Sequence, residues 1–230
     1  MTFKFKPLAA VFLLALASAN ASAANVTLNG DKFTISYDTS VIGLFGTPSL
    51  IGSSLVFAPG GSPGFAAQSE NGIKVTNSTF SFMIMADPGY KLSSFNLFEG
   101  GDYMLIGNSS RVSVGGQLRV KPVNLAAMTA SVTPSVPLTT QTTFETFATT
   151  NWDAHASISL ATPLSSAAVS IENLLGARAR LVDGGYAFIE KKNVELSFVL
   201  TPVPEPESYA MFLTGLGLLG AVARRRSKQV

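Results

Sequence analysis

The strongest regularity in the chain is apolar and polar side chains alternating with a period of two, the signature of half-buried strands. Lys32 to Tyr37 sets Phe33, Ile35 and Tyr37 on one face and Lys32, Thr34 and Ser36 on the other. The preceding Asn29-Gly30-Asp31 is a hairpin signal. Ile73 to Ala86 alternates through Val75, Phe80, Phe82, Ile84 and Ala86 and stops at Asp87-Pro88-Gly89, a turn. Tyr90 to Phe98 continues with Leu92, Phe95 and Leu97, and Glu99-Gly100-Gly101-Asp102 reads as a turn into Tyr103 to Ile106. Arg111 to Val120 carries Val112, Val114, Leu118 and Val120 around a Gly115-Gly116 turn or bulge. Ala156 to Leu160 and Ala168 to Leu174 resume the alternation, although Ile171 to Leu181 also fits a short helix. Asp183-Gly184-Gly185 predicts a hairpin turn, and Val194 to Leu200 is the cleanest strand pattern of all.

Two stretches interrupt the pattern. Residues 42–65 are rich in Gly and Pro around one apolar piece, Ser54 to Ala58, which predicts a long loop with one or two short strands. Ala126 to Thr150 is Thr- and Ser-rich with Pro134 and Pro137. It reads either as a linker or boundary, open to O-linked sugar, or as an exposed polar strand pair inside the same sandwich. No repeat of fixed period is present. The expectation is an all-β fold, an antiparallel β-sandwich of jelly-roll-like type, with its body at residues 24–201.

Both ends of the chain break from this composition. Met1 to Ala23 has the form of a signal peptide: Lys4 and Lys6, an apolar run from Leu8 to Ala17, then Ala19-Asn20-Ala21-Ser22-Ala23. Cleavage is expected after Ala23, with Ala21 as the other frame, so residues 1–23 stand apart from the fold. At the other end, Val203-Pro204-Glu205-Pro206 precedes an uncharged run from Ser208 to Ala223, and Arg224-Arg225-Arg226 closes it. Sixteen helical residues span about 24 Å against a bilayer core of about 30 Å. Local thinning and arginines reaching to the headgroups let such a helix cross. The arginines would stay cytoplasmic and the body outside the inner membrane. A buried C-terminal core helix is the competing reading.

These ends distort the charge balance. The chain has 16 Lys and Arg, but Lys4, Lys6, Arg224, Arg225, Arg226 and Lys228 lie outside residues 24–203. Ten basic side chains remain there against twelve acidic ones, with no basic stripe, so nucleic acid is not an expected partner. There is no cysteine, which removes disulfides, thiol catalysis and Cys-ligated metals together.

Motifs that match catalytic patterns fail on physical grounds. Gly60-Gly61-Ser62-Pro63-Gly64 fits G-x-S-x-G, but the residue after the serine must supply an oxyanion-hole N–H and Pro63 has none. Gly215-Leu216-Gly217-Leu218-Leu219-Gly220 fits G-x-G-x-x-G but sits inside the apolar tail, with no preceding strand. His155, near Asp153 and Trp152, is the single histidine and has no second His or Cys with which to hold a transition metal. Asp87, Glu99, Asp102 and Asp183 fall at expected turns, which accounts for them without calcium. No catalytic residue, metal or cofactor is therefore expected.

Val203-Pro204-Glu205-Pro206-Glu207-Ser208, the Gly-containing apolar helix and Ala223-Arg224-Arg225-Arg226 together resemble the PEP-CTERM sorting signal of Gram-negative bacteria that make exopolysaccharide. The resemblance covers residues 202–230. It implies a membrane-bound exosortase partner, a cysteine transpeptidase-like enzyme that cleaves at or near the Pro-Glu-Pro and passes the body to the envelope or outside. Asp87 to Tyr103 also resembles bodies found ahead of this signal, which brings no activity with it. The expected function is a non-catalytic envelope or matrix protein, transiently held in the inner membrane, with exopolysaccharide as candidate ligand through Trp152 and the tyrosines. A polysaccharide hydrolase or lyase with paired carboxylates, and a permanently anchored surface protein, are the alternatives.

Overall fold

The computed structural model describes residues 24–60, 64–203 and 206–226. In chain order the strands are β1 (Asn25–Asn29), β2 (Phe33–Asp38), β3 (Ser49–Ile51), β4 (Ser54–Phe57), β5 (Ala66–Ser69), β6 (Gly72–Ala86) and β7 (Tyr90–Ile106). They continue with β8 (Arg111–Pro122), β9 (Met128–Ser131), β10 (Thr133–Pro134), β11 (Thr150–Leu164), β12 (Ser166–Ala179) and β13 (Tyr186–Pro202), and α1 (Pro206–Arg226) follows. Every pairing is antiparallel. One sheet runs β1-β2-β6-β12-β8-β9, the other β10-β11-β7-β13-β4-β3, with β5 also on β13. The two face each other as a β-sandwich.

Chain order and sheet membership explain the shape. β6, β8 and β12 lie in one sheet while β7, β11 and β13 lie in the other. β6, β7, β11 and β12 are therefore each followed by a turn that crosses the sandwich, whereas β8 folds back on β9 within its own sheet. Asp87-Pro88-Gly89 is such a crossing, with Tyr90 N–H donating to Asp87 O at 3.0 Å and Gly89 at φ 84°. Asp183-Gly184-Gly185 is another: Gly184 adopts a left-handed φ of 58°, and the strands it joins belong to different sheets. A hairpin is thus not what those residues make. The Asn29-Gly30-Asp31 signal does close one, between β1 and β2.

The middle segment contributes a strand to each sheet, β9 on β8 and β10 on β11, so its strands join the sandwich but do not pair with each other. Ile171 to Ala179 is strand throughout, not helix. Residues 42–60 hold the β3–β4 hairpin and a short 3-10 turn at Gly43–Phe45, which brings Phe45 into the interior.

The alternation places the core as read. Phe33, Ile35, Phe80, Ile84, Phe95, Leu97, Val194, Leu196 and Phe198 are all buried. Phe33 from one sheet meets Phe198 from the other with ring centroids 4.6 Å apart, and Phe80 meets Phe57 at 4.9 Å. Edge-on aromatic pairs of this kind add about 0.5–1.5 kcal/mol each beyond burial. Ile73 and Val75 are the exception, being well exposed. On β6 the inward parity set by Phe80, Phe82 and Ile84 belongs to even-numbered residues, so Lys74, Thr76 and Ser78 share that face and Ile73 and Val75 point out.

Gly100-Gly101 is not the expected turn, and Gly115-Gly116 is neither turn nor bulge. β7 runs unbroken through Glu99-Gly100-Gly101-Asp102, and β8 through Gly115-Gly116. β13 carries a bulge between Lys191 and Asn193, leaving Lys192 unpaired opposite Gly100 and Gly101. The bulge shifts the inward parity of β13 from Ala187, Ile189 and Lys191 to Val194, Leu196 and Phe198. A Cβ at Gly101 would stand 1.9 Å from Glu190 O, and one at Gly116 would stand 2.0 Å from Glu172 O. Glycine is required at both by close backbone approach.

Candidate functional site

Two regions carry chemistry that packing alone does not explain. The first is the C-terminal segment. β13 ends at Pro202, and Val203 N–H donates to Gly89 O at 2.8 Å, so the crossing turn at Asp87–Gly89 pins the last residue before the Pro-Glu-Pro. Pro204 and Glu205 lie outside the described residues, as do the signal-cleavage residues Ala21 and Ala23. Pro206 is the first residue of α1, a position that suits its fixed φ and missing N–H. The same helix continues through Arg224, Arg225 and Arg226.

From Ala210 to Gly220 every residue of α1 is exposed. Met211, Phe212 and Leu213 are successive, and Leu216, Leu218 and Leu219 follow, so the apolar surface surrounds the helix instead of forming one stripe. This is not a core helix of the sandwich. Among the described residues no helix is long and apolar enough to cross a membrane. The three glycines of the G-x-G-x-x-G match lie within this helix with open space around each, so no phosphate-binding turn exists there.

The second region is polar and lies inside the sandwich. Lys191 on β13 and Glu99 on β7 form an ion pair through Nζ and Oε2, both side chains fully buried. Lys191 Nζ also lies 5.3 Å from the Phe65 ring centroid and 5.6 Å from that of Trp152. Trp152 fixes its own ring by donating Nε1–H to Glu190 O at 3.1 Å. From the opposite sheet comes Asn173 on β12, fully buried, with neither Oδ1 nor Nδ2 hydrogen-bonded. Glu99 Oε1 is likewise without a partner. Burial pushes the Glu99 carboxyl above its ordinary value, against the opposing pull of Lys191 and Asn173. Burial likewise draws the Lys191 ammonium down against the pull of Glu99. Both directions favour the uncharged forms.

Next to this cluster, Asp102 Oδ2 accepts from Lys192 Nζ at 2.6 Å, and Lys192 also reaches Glu190 at 3.1 Å. Ordinary strand alternation points Lys191 into the core and Lys192 to the surface, and the bulge leaves Asn193 exposed beside Lys192.

The structure disperses the other candidates. Asp87 and Asp183 stay at turns, where Asp183 accepts from Ser109 Oγ at 2.5 Å. Glu99 and Asp102 sit within β7 and leave that set. Among the described residues no three His, Asp or Glu side chains come together as a metal group would require. His155 Nε2 meets Asp153 Oδ2 at 3.0 Å on the surface, and Ser135 Oγ bonds the same carboxylate. Serine and histidine both approach the aspartate, so the histidine does not bridge them as base catalysis by a triad needs. Trp152, Tyr37 and Tyr103 are buried and offer no stacking platform for a sugar. A surface groove of about 680 Å³ lies on the outside of the first sheet between Ser36, Asp38, Ser81, Arg119, Lys121 and Ser170.

Sequence reasoning missed the Glu99–Lys191–Asn173 cluster. The three residues are far apart in the chain, and the signal available was a glycine pair beside each acidic or amide-bearing strand.

Residues 202–227 match the PEP-CTERM protein-sorting motif. No curated protein matches the chain. Among solved structures, one from infectious bursal disease virus, Gt strain, aligns at 10% identity and a TM-score of 0.15. That alignment covers 81% of this chain and 60% of that one.

Proposed function

We propose that the chain is the exported substrate of an exosortase, held briefly in the inner membrane by α1 and released by cleavage near Pro204-Glu205-Pro206. The premise is the PEP-CTERM protein-sorting motif that the chain carries at residues 202–227. The observation that supports the membrane step is α1, apolar on all sides and exposed along Ala210 to Gly220. A helix of that kind has no water-compatible resting place unless something apolar surrounds it. Its uncharged length is short for a bilayer, so crossing relies on thinning and on Arg224, Arg225 and Arg226 reaching the cytoplasmic headgroups. The body then lies on the periplasmic side, and its final place is the envelope or the extracellular matrix.

Intact-mass measurement of the mature protein from its producer tests this reading. The expected chain begins after Ala21 or Ala23 and ends near Pro206. A mature protein that retains α1 and the arginines would favour permanent anchoring instead.

For the body we propose a non-catalytic role in which exopolysaccharide binds the groove bearing Arg119 and Lys121. Hydroxyls and two cations converge there, whereas the aromatic platform first expected at Trp152 is inside the core. Arg119→Glu with Lys121→Glu is expected to lower retention on the producer's own acidic polysaccharide at least tenfold. Unchanged retention, or retention absent in the parent protein, would remove the binding claim.

A further inference from the structure

We propose that Lys191 and Asn173 join through a side-chain amide bond that ties one sheet of the sandwich to the other, with Glu99 carrying the protons. The three groups are placed for it. Lys191 reaches inward from β13, Asn173 inward from β12, and the two strands pack against each other across the interior. Lys191 Nζ is already bonded to the Glu99 carboxyl, and Asn173 enters the same interior from the other sheet with its amide atoms unpaired. All three side chains are fully buried.

The cluster is otherwise hard to account for. Native interiors rarely leave an amide with both polar atoms unpaired beside a carboxyl oxygen also unpaired. An ion pair in such a setting adds little stability over apolar side chains of similar volume. The surroundings are built around it too. Gly116 keeps the backbone open beside Asn173 Oδ1, 3.0 Å from where a Cβ would stand, and Gly101 does the same beside Lys191. Phe65 and Trp152 wall the site off from water.

The chemistry balances within the cluster. A proton passes from the Lys191 ammonium to Glu99, which leaves a neutral amine, the form that burial favours. The amine lone pair attacks Cγ of Asn173 to give a tetrahedral adduct. Glu99 gives its proton to Nδ2 and takes one from the attacking Nζ. The Cγ–Nδ2 bond then breaks, ammonia leaves, and the Nζ–Cγ amide remains. One C–N bond forms and one breaks, nothing is oxidised or reduced, and no further reactant enters. Amides resist amines in solution, but fixed neighbours act at effective concentrations of about 10⁵–10⁸ M. Glu99 supplies the general acid and base that the exchange needs.

Mass spectrometry of the folded full chain decides the matter. The expected protein is lighter than its sequence by one ammonia, and its tryptic digest holds the Asn173 and Lys191 peptides joined, with the cut after Lys191 lost. Asn173→Asp should give the same link with loss of one water instead. Glu99→Gln, folded as judged by circular dichroism, should carry the full unlinked mass. If the folded parent has its full sequence mass and no joined peptide, the proposal is overturned. A link formed as completely in Glu99→Gln would overturn the role given to Glu99.

Discussion

Lys191→Met is expected to be the most damaging single substitution in the body, because it leaves the Glu99 carboxyl inside the sandwich without the nitrogen that bonds it. Removing one member of a buried pair costs about 3–5 kcal/mol, most of it the penalty of the group left behind. Urea unfolding of the full chain reads it as a fall in the midpoint with the slope unchanged. The companion experiment, Lys191→Met with Glu99→Leu, removes the orphan as well and is expected to recover the part due to stranded polarity. What it does not recover measures the covalent link. A link closing a loop of about 15 residues contributes about 3 kcal/mol by restricting the unfolded chain. A single substitution costing under about 1 kcal/mol would mean the pair is solvated and the description of this interior is wrong.

The second large effect belongs to the tail. Pro204→Ala, Glu205→Ala and Pro206→Ala made together should abolish maturation, so that all of the exported protein keeps α1 and stays with the membrane fraction. Proline fixes its own φ and biases the residue before it to extended conformations, so Pro202, Pro204 and Pro206 in sequence disfavour a helix that starts before Pro206. With alanines in their place, α1 is free to lengthen toward Val203, and the extended peptide that a protease groove takes is lost. Immunoblotting and intact mass of the membrane and released fractions check the outcome. A released form with the same C-terminus as the parent would show that cleavage ignores the Pro-Glu-Pro.

How much of this was legible depended on how far apart the deciding residues lie. Phe33-Ile35-Tyr37 and Val194-Leu196-Phe198 declared their buried faces because strand periodicity is local. The sorting segment was legible for the same reason, since its three parts follow one another in the chain. Gly100-Gly101 and Gly115-Gly116 misled because a glycine pair between apolar runs signals a turn equally well whether or not one forms. What settles them is a bulge at Lys192 and the carbonyl of Glu172, both supplied by other strands. The neighbours of Glu99 in the chain predict a turn. Only the pairing of β7 with β13 turns Glu99 toward Lys191. Ile73 and Val75 show the limit of counting apolar residues: parity from Phe80 decides the face, and hydrophobicity alone does not.

β13 has a further consequence as a mechanical element. It is the last strand before the tail and lies inside its sheet, paired along β7 on one side and with β4 and β5 on the other. Any pull on the C-terminus enters the body along the axis of this strand. Its hydrogen bonds to β7 then bear the load together in shear, where peeling from an edge would break them one at a time. Extraction or anchoring through the tail thus loads the best-connected strand of the molecule. A bond at Lys191 would pass that force from one sheet to the other partway along the strand, so the portion beyond it would carry none.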